Sequence, residues 1–371
     1  MLLRYISILT AYLLTTTVFA GRFMTPGDSV QSSGFARELL TTMTEGVEGV
    51  KRKVEKLDDV DTLYIEPNHF NYAAMVQNTN YWQHYRLSAR DAAGAVQEID
   101  ISPRSSIKVG PYFGWRWLFL GYTFDVGSLG KATRNTEFNL SIYTSKIGGD
   151  FMYIRNKADF KLGRVKGFTG IPSSTFEGQD FNGMKAYSTM ANIYYVFNHR
   201  RFSYPAAYAQ STVQRLSAGS FILGLRYDHH QIYFDHRKLP NSLLYTSQGA
   251  SALLDAMKIG TINYYNAGIS LGYAYNWVIA RNLLFNISLM PALGYKKTKG
   301  VPWDKKVLLN DVRTFNIDFT SRAALVWNNT RCYAGASFIN YVYGYNRAYF
   351  HFRNSISYLN LYFGVNFARK K

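Results

Sequence analysis

Two alternating segments joined by a tight turn constrain the fold more than anything else in the chain. Across 268–277, the odd positions carry Ile269, Leu271, Tyr273, Tyr275 and Trp277, and the even ones Gly268, Ser270, Gly272, Ala274 and Asn276. After 278–281 the pattern resumes, with Leu283, Phe285, Ile287, Leu289 and Leu293 against Asn282, Asn286, Ser288, Ala292 and Gly294. A period of two is a strand period. The apolar side runs for about ten residues per strand, the length a tilted strand needs to cross a bilayer.

Composition agrees. The chain of 371 residues has 30 Tyr, 25 Phe and 29 Gly but only 9 Pro, a mixture suited to strands, tight turns and interfacial aromatic girdles. No stretch beyond the first twenty residues is long and apolar enough for a membrane helix. The formal charge of +18 is spread through connections and follows an export signal, so nucleic acid is excluded as a partner. A single cysteine, Cys332, rules out an internal disulfide framework.

Residues 1–20 read as a secretory signal, with Arg4, an apolar run and a cut near Ala20 after Val18-Phe19. Residues 21–60 read as a periplasmic linker with a short amphipathic helix over 34–59. Its apolar stripe is Leu39, Met43, Val47, Val50, Val54 and Leu57, docked on a barrel rim or free, with a plug or partner-binding role as the alternative. Asp58, Asp59 and Asp61 lack the glycine and closing Glu of a calcium loop.

The remainder, 61–371, carries strands near 69–88, 105–112, 118–126, 135–145, 149–155, 185–197, 213–228, 259–277, 282–294, 311–327, 330–344 and 354–367. Short connections (113–117, 146–148, 278–281, 328–329) alternate with long ones (89–104, 156–184, 229–258, 295–310, 345–353). Outer-membrane barrels sort their connections this way, so the expected fold is all-β, a transmembrane antiparallel β-barrel of about 12 strands (10–14). Segment 198–212 is the exception, long where a short turn belongs. The last strand alternates Leu359, Leu361, Phe363, Val365 and Phe367 with Asn360, Tyr362, Gly364 and Asn366. It resembles the C-terminal signal read by the outer-membrane assembly machinery, an expected partner, although four residues follow Phe367.

The run Lys108-Val109-Gly110-Pro111-Tyr112-Phe113-Gly114-Trp115-Arg116-Trp117, with Gly121-Tyr122 after it and Asp61-Thr62-Leu63-Tyr64-Ile65-Glu66-Pro67 and Gln77-Asn78-Thr79 before it, resembles an uncharacterised family of exported barrel-like Bacteroidota proteins. This is the domain-of-unknown-function 4421 family, and the likeness covers roughly 61–367. It implies an outer-membrane barrel and carries over no site residues.

Chemistry is sparse, and no catalytic, cofactor or metal site is assigned. The densest cluster, Asp228-His229-His230 with Asp235-His236, falls in an expected external loop but matches no ligand spacing. A lipid-acting enzyme would need a serine beside His230, His236 or His351 at the outer rim; Ser242, Ser247 and Ser251 are available, but there is no Gly-x-Ser-x-Gly elbow. Lys108, Asp125, Glu137, Arg226, Asp228, Asp318 and Arg322 are expected in the lumen, where pairing would fill the barrel and non-pairing would leave a water-lined pore. Lys296, Lys297, Lys299, Lys305 and Lys306, with Arg347 and Arg353, are expected in external loops as contacts for lipopolysaccharide phosphates or an anionic solute. Outer-membrane lipids are the expected surroundings. The leading function is a structural barrel or a narrow anion-favouring pore. The alternatives are an outer-membrane acyl hydrolase or acyltransferase and a soluble exported β-sandwich binder.

Overall fold

The computed structural model describes residues 59–115, 118–121, 124–128, 136–302, 313–346 and 349–370. The signal and helix expected over 1–20 and 34–59 therefore lie outside the described residues, except for Asp59. Among the described residues eighteen strands follow in order: β1 (Ile65–Pro67), β2 (Phe70–Arg90), β3 (Val96–Pro103), β4 (Ser106–Trp115), β5 (Leu118–Gly121), β6 (Phe124–Asp125), β7 (Thr136–Tyr143), β8 (Ile147–Asn156) and β9 (Phe160–Lys166). Then come β10 (Asp180–Phe181), β11 (Met184–Val196), β12 (Thr212–Gln214), β13 (Ala218–Phe234), β14 (Ile259–Ala280), β15 (Leu283–Pro302), β16 (Arg313–Asn328), β17 (Cys332–Asn346) and β18 (Phe350–Arg369). Among the described residues two short α-helices, α1 (Tyr204–Tyr208) and α2 (Asn241–Leu244), interrupt them.

All strands except β1 and β12 join one antiparallel sheet whose path is β10-β9-β3-β2-β18-β17-β16-β15-β14-β13-β11-β8-β7, with β4 on β2 and β5 and β6 on β4. β2 is long enough to pair with β4 over its first half and β3 over its second. β9 pairs with β3 and follows β8 after three residues, so the sheet comes round on itself into a barrel wall. Among the described residues no ladder joins β5 or β6 to β7. Of the expected strands, 118–126 is divided into β5 and β6, and the others are present with shifted ends over the described positions. The long connections 89–104 and 156–184 are largely wall, supplying β3, β9 and β10.

The alternation decides which side chains face out. Ile269, Leu271, Tyr273, Tyr275 and Trp277 stand exposed on the outer wall, while Ser270, Gly272, Ala274 and Asn276 are buried inside. β15, β16 and β18 repeat the division, with Leu293, Ile317 and Phe363 outside and Ser288, Arg322 and Asn366 inside. An apolar band this large on the outside of a sheet is the lipid-facing wall of a transmembrane barrel, not a water-facing surface. The β14–β15 turn is shorter than expected. β14 reaches Ala280 through a bulge, and Arg281-Asn282 turns the chain, with Asn282 in the left-handed region (φ 67) that asparagine tolerates best among non-glycine residues.

Candidate functional site in the lumen

The end of the barrel where the described chain starts and stops is filled by the anomalous connection. Segment 198–216 folds inward, and α1 begins at the N-cap Ser203, whose Oγ accepts from Ala206 N, with Pro205 in the first turn. Its side chains then take the polar groups of the wall. Tyr204 shares a hydrogen bond with Ser288 Oγ at 2.7 Å, Tyr208 donates to Asn286 Oδ1 at 2.7 Å, and Gln210 Nε2 donates to the Tyr362 hydroxyl at 2.8 Å. Gln214 fastens the base, accepting from Ser203 N and Asn276 Nδ2 and donating to the carbonyls of Tyr64, Arg201 and Leu216. β12 pairs with β1, and Arg215 reaches Glu66. The leading segment and the plug thus form one cap.

The opposite, loop end is closed differently. Residues 235–258 turn back over the opening, and Leu239, Leu243, Leu244, Leu253 and Met257 join a dry cluster with Tyr85, Ile99, Phe160, Phe234 and Phe352 from the walls. Gln97 of β3 secures this lid, donating to Ala252 O and accepting from Leu254 N.

Between the two closures the lumen holds its charges in pairs. Lys296 is wholly buried, with Nζ 3.0 Å from Asp318 Oδ1 and donating to the Gly344 carbonyl. Asn266 Nδ2 bridges Asp228 and Asp318 at 2.9 and 3.0 Å, and Arg226 lies 3.4 Å from Asp228 with its guanidinium over the Tyr343 ring. Nearer the plug, Arg322 of β16 crosses the interior to Asp150 of β8 at 2.5 Å and donates to the Tyr143 hydroxyl. Tyr194, Tyr204 and Tyr208 surround its guanidinium. Lys108 of β4 meets Glu137 of β7 at 2.5 Å. Asp125 lies opposite Lys108 in the β4–β6 register and accepts from Gly127 N. Burying these charges is tolerable because each has a partner of opposite sign.

Several expectations need correction. Lys296 is not in an external loop, because β15 continues to Pro302 and the period of two turns it inward with Ala292 and Gly294. Lys297 and Lys299 are likewise strand residues, Lys297 facing out. Arg353 stands on β18 opposite Arg86 and Gly344, exposed on the outer wall. Lys305, Lys306 and Arg347 lie outside the described residues. The histidine cluster is also split. Asp228 and His230 face inward from β13, His229 faces outward and stacks on Tyr265 at 4.2 Å, and only Asp235 and His236 belong to the loop. Of the lumen set, Arg226, Asp228, Asp318 and Arg322 are buried on the inner side of their strands, and Lys108, Asp125 and Glu137 are half-buried on β4, β6 and β7. Asp150 and Lys296 were missed there, although continuing the alternation from Gly294 finds Lys296.

One serine–histidine pair does exist. Ser188 Oγ lies 2.8 Å from His230 Nδ1, but both are buried, and the ring is held between Tyr264 and Tyr343. His230 Nε2 has no hydrogen-bond partner, so no carboxylate orients the imidazole as a base. Among the described residues no group of His, Cys, Asp and Glu is arranged to hold a metal.

A cavity of about 510 Å³ remains beside the plug. Its floor is Tyr208 and Gln210, one wall is the amide strip of Gln77 and Asn360, and the facing wall includes Glu137 and Asn139 of β7.

The family model described as a domain of unknown function (DUF4421) matches residues 59–367. No curated protein matches the chain. Among solved structures, the chain is similar to the outer-membrane protease OmpT of Escherichia coli (7% identity, 81% of this chain and 98% of that one, TM-score 0.39). It is also similar to the toluene transporter TodX of P. putida (9%, 83% and 94%, TM-score 0.26) and to the outer-membrane protein OprG of Pseudomonas aeruginosa (9%, 81% and 98%, TM-score 0.25).

Proposed function

The chain belongs to the DUF4421 family, and from that premise we propose that it is an integral outer-membrane β-barrel with a sealed interior, a non-enzymatic membrane protein and not an open pore. The observation that carries this reading is the Arg322–Asp150 bridge across the lumen directly above the α1 plug. A conducting channel needs a continuous aqueous path. Here a polar plug closes one end, an apolar lid closes the other, and tyrosines pack the space between. Selectivity for anions would need an excess of fixed positive charge. Arg226, Lys296, Arg322 and Lys108 instead face Asp228, Asp318, Asp150 and Glu137, so these four lumen cations add no net positive charge.

In this reading residues 1–20 direct export and are removed near Ala20, 21–60 form a periplasmic linker, and the plug end faces the periplasm. The outward Lys297 and Arg353, one step above the apolar band toward the loop end, meet lipopolysaccharide phosphates. The C-terminal strand engages the assembly machinery during insertion.

Membrane fractionation, followed by electrophoresis with and without heating, tests the location. An outer-membrane, heat-modifiable band with no single-channel current in planar bilayers is expected. Recovery from the soluble periplasm would overturn the barrel assignment. Steady anion-selective conductance would overturn the sealed interior.

A further inference from the structure

We infer that the cavity between α1 and β7 is a binding site for a small uncharged, hydroxyl-rich solute of the saccharide class. At about 510 Å³ it falls within the ~300–1,000 Å³ range of sites that take small organic molecules. The space is not cut off from solvent, since Asn139 and Ser141, on the lumen side of β7, stay exposed.

The lining selects the ligand. Among the described residues its only charged side chains are Lys108 and Glu137, which neutralise each other at 2.5 Å. A charged ligand would be desolvated against a wall that offers no counter-charge. An apolar ligand would fare no better, because polar groups on the wall would lose their water without replacement. Gln77 spends its amide N–H groups on Thr79 and Asn360, and Gln210 spends its own on Ala207 O and Tyr362. Among the described residues no donor reaches Oε1 of either glutamine. The hydroxyls of Tyr112 and Tyr341 have no hydrogen-bond partner there either. The cavity therefore presents unspent acceptors and donors together, beside the ring faces of several tyrosines. Hydroxyl groups match the first set, and the C–H faces of a sugar ring match the second.

The site goes beyond the proposed sealed barrel and does not depend on it: the seal concerns a path from one end to the other, and a pocket that reaches solvent at Asn139 and Ser141 completes no such path. Full-length protein in lauryldimethylamine oxide, which carries no sugar headgroup, is titrated calorimetrically with maltose, cellobiose and lactose. Maltobionate serves as the anionic control, and glucosamine as the cationic one. Saturable heat from at least one neutral disaccharide, at least tenfold weaker for the charged controls, is expected. Gln77→Leu combined with Asn360→Leu should weaken that binding tenfold or more while the protein keeps its heat-modifiable band. Ser337→Trp, which fills the same space from β17, should abolish it. Absence of saturable heat from every neutral sugar would overturn the inference, as would equal binding of maltobionate or undiminished binding to both variants. None of these results bears on conductance or location, so the two readings fail separately.

Discussion

Replacing Arg322 by Met tests whether the interior is a core. Its side chain is fully buried and its partner Asp150 is about nine-tenths so. Removing one member of such a pair typically costs ~3–5 kcal/mol, because the other charge stays buried and uncompensated. Here the loss should sit near the lower end, about 3 kcal/mol. Asp150 keeps hydrogen bonds from Ser141 at 2.9 Å and Tyr143 at 3.4 Å, and Ser141 is exposed, so water can reach the orphaned carboxylate. Met retains most of the stem that packs among Tyr194, Tyr204 and Tyr208, so the measured loss is mainly electrostatic. Asp150→Asn on top of Arg322→Met should restore about 2 kcal/mol, since it removes the stranded charge and keeps the hydrogen bonds. Urea unfolding in lipid vesicles, followed by tryptophan fluorescence at neutral pH, gives each value. A loss below about 1 kcal/mol for the single variant, or strict additivity of the two changes, would mean that the bridge is solvated and the lumen open.

Removing residues 203–210 behind a short flexible bridge should leave the barrel electrically silent, because the apolar lid at the loop end still closes it; currents from that deletion alone would show that the lid leaks. Gly364→Val should destabilise the barrel by ~1–3 kcal/mol through overpacking. A Cβ there would lie 2.3 Å from the ring of Tyr333, and an unchanged urea midpoint would show that the ring is not seated on the glycine. Arg237 donates to the Asp235 carboxylate and holds its pKa below the usual value. That contribution is complete above the free-carboxyl value of about 4 and is lost as pH falls through the lowered folded value. Amide exchange of residues 235–239 should accordingly speed up only in strong acid, and Asp235→Asn should abolish the dependence.

The wall was legible wherever bulky apolar residues face lipid and small ones face the lumen. On β14, β15, β16 and β18 the two demands coincide, so the alternation in the sequence is the alternation in space. On β11 and β17 they conflict. β17 turns Tyr333, Tyr341, Tyr343 and Tyr345 inward and leaves Ala334, Ala336 and Cys332 on the outer side, which inverts the expected contrast. The abnormal length of 198–212 was visible, but its destination was not. Tyr204-Pro205-Ala206-Ala207-Tyr208 reads as a loop until Ser288, Asn286 and Tyr362 are seen to supply its partners from strands roughly 80 to 150 residues away. The charge pairs failed for the same reason. Local spacing reports which face a residue takes, whereas the Arg322–Asp150 pairing depends on the diameter of the barrel.

That diameter explains why the tyrosines are so numerous. A barrel of this strand number is too wide to be filled by aliphatic side chains from the wall alone, yet narrow enough for long side chains to meet across it. Tyrosine spans the gap with a rigid ring and ends in a hydroxyl that can be satisfied in mid-lumen. The wall makes room by placing glycine beneath the rings. A Cβ on Gly148 would lie 2.2 Å from the Tyr194 ring, and Gly364 accommodates Tyr333 in the same way. Arginine and lysine extend the reach further, and each then requires a carboxylate on the wall it approaches, as Arg322 finds in Asp150 and Lys296 in Asp318. The paired charges are therefore a consequence of filling a wide barrel with long side chains. Among the described residues a region between Tyr208 and β7 is left unfilled, and there the interior has room for a ligand.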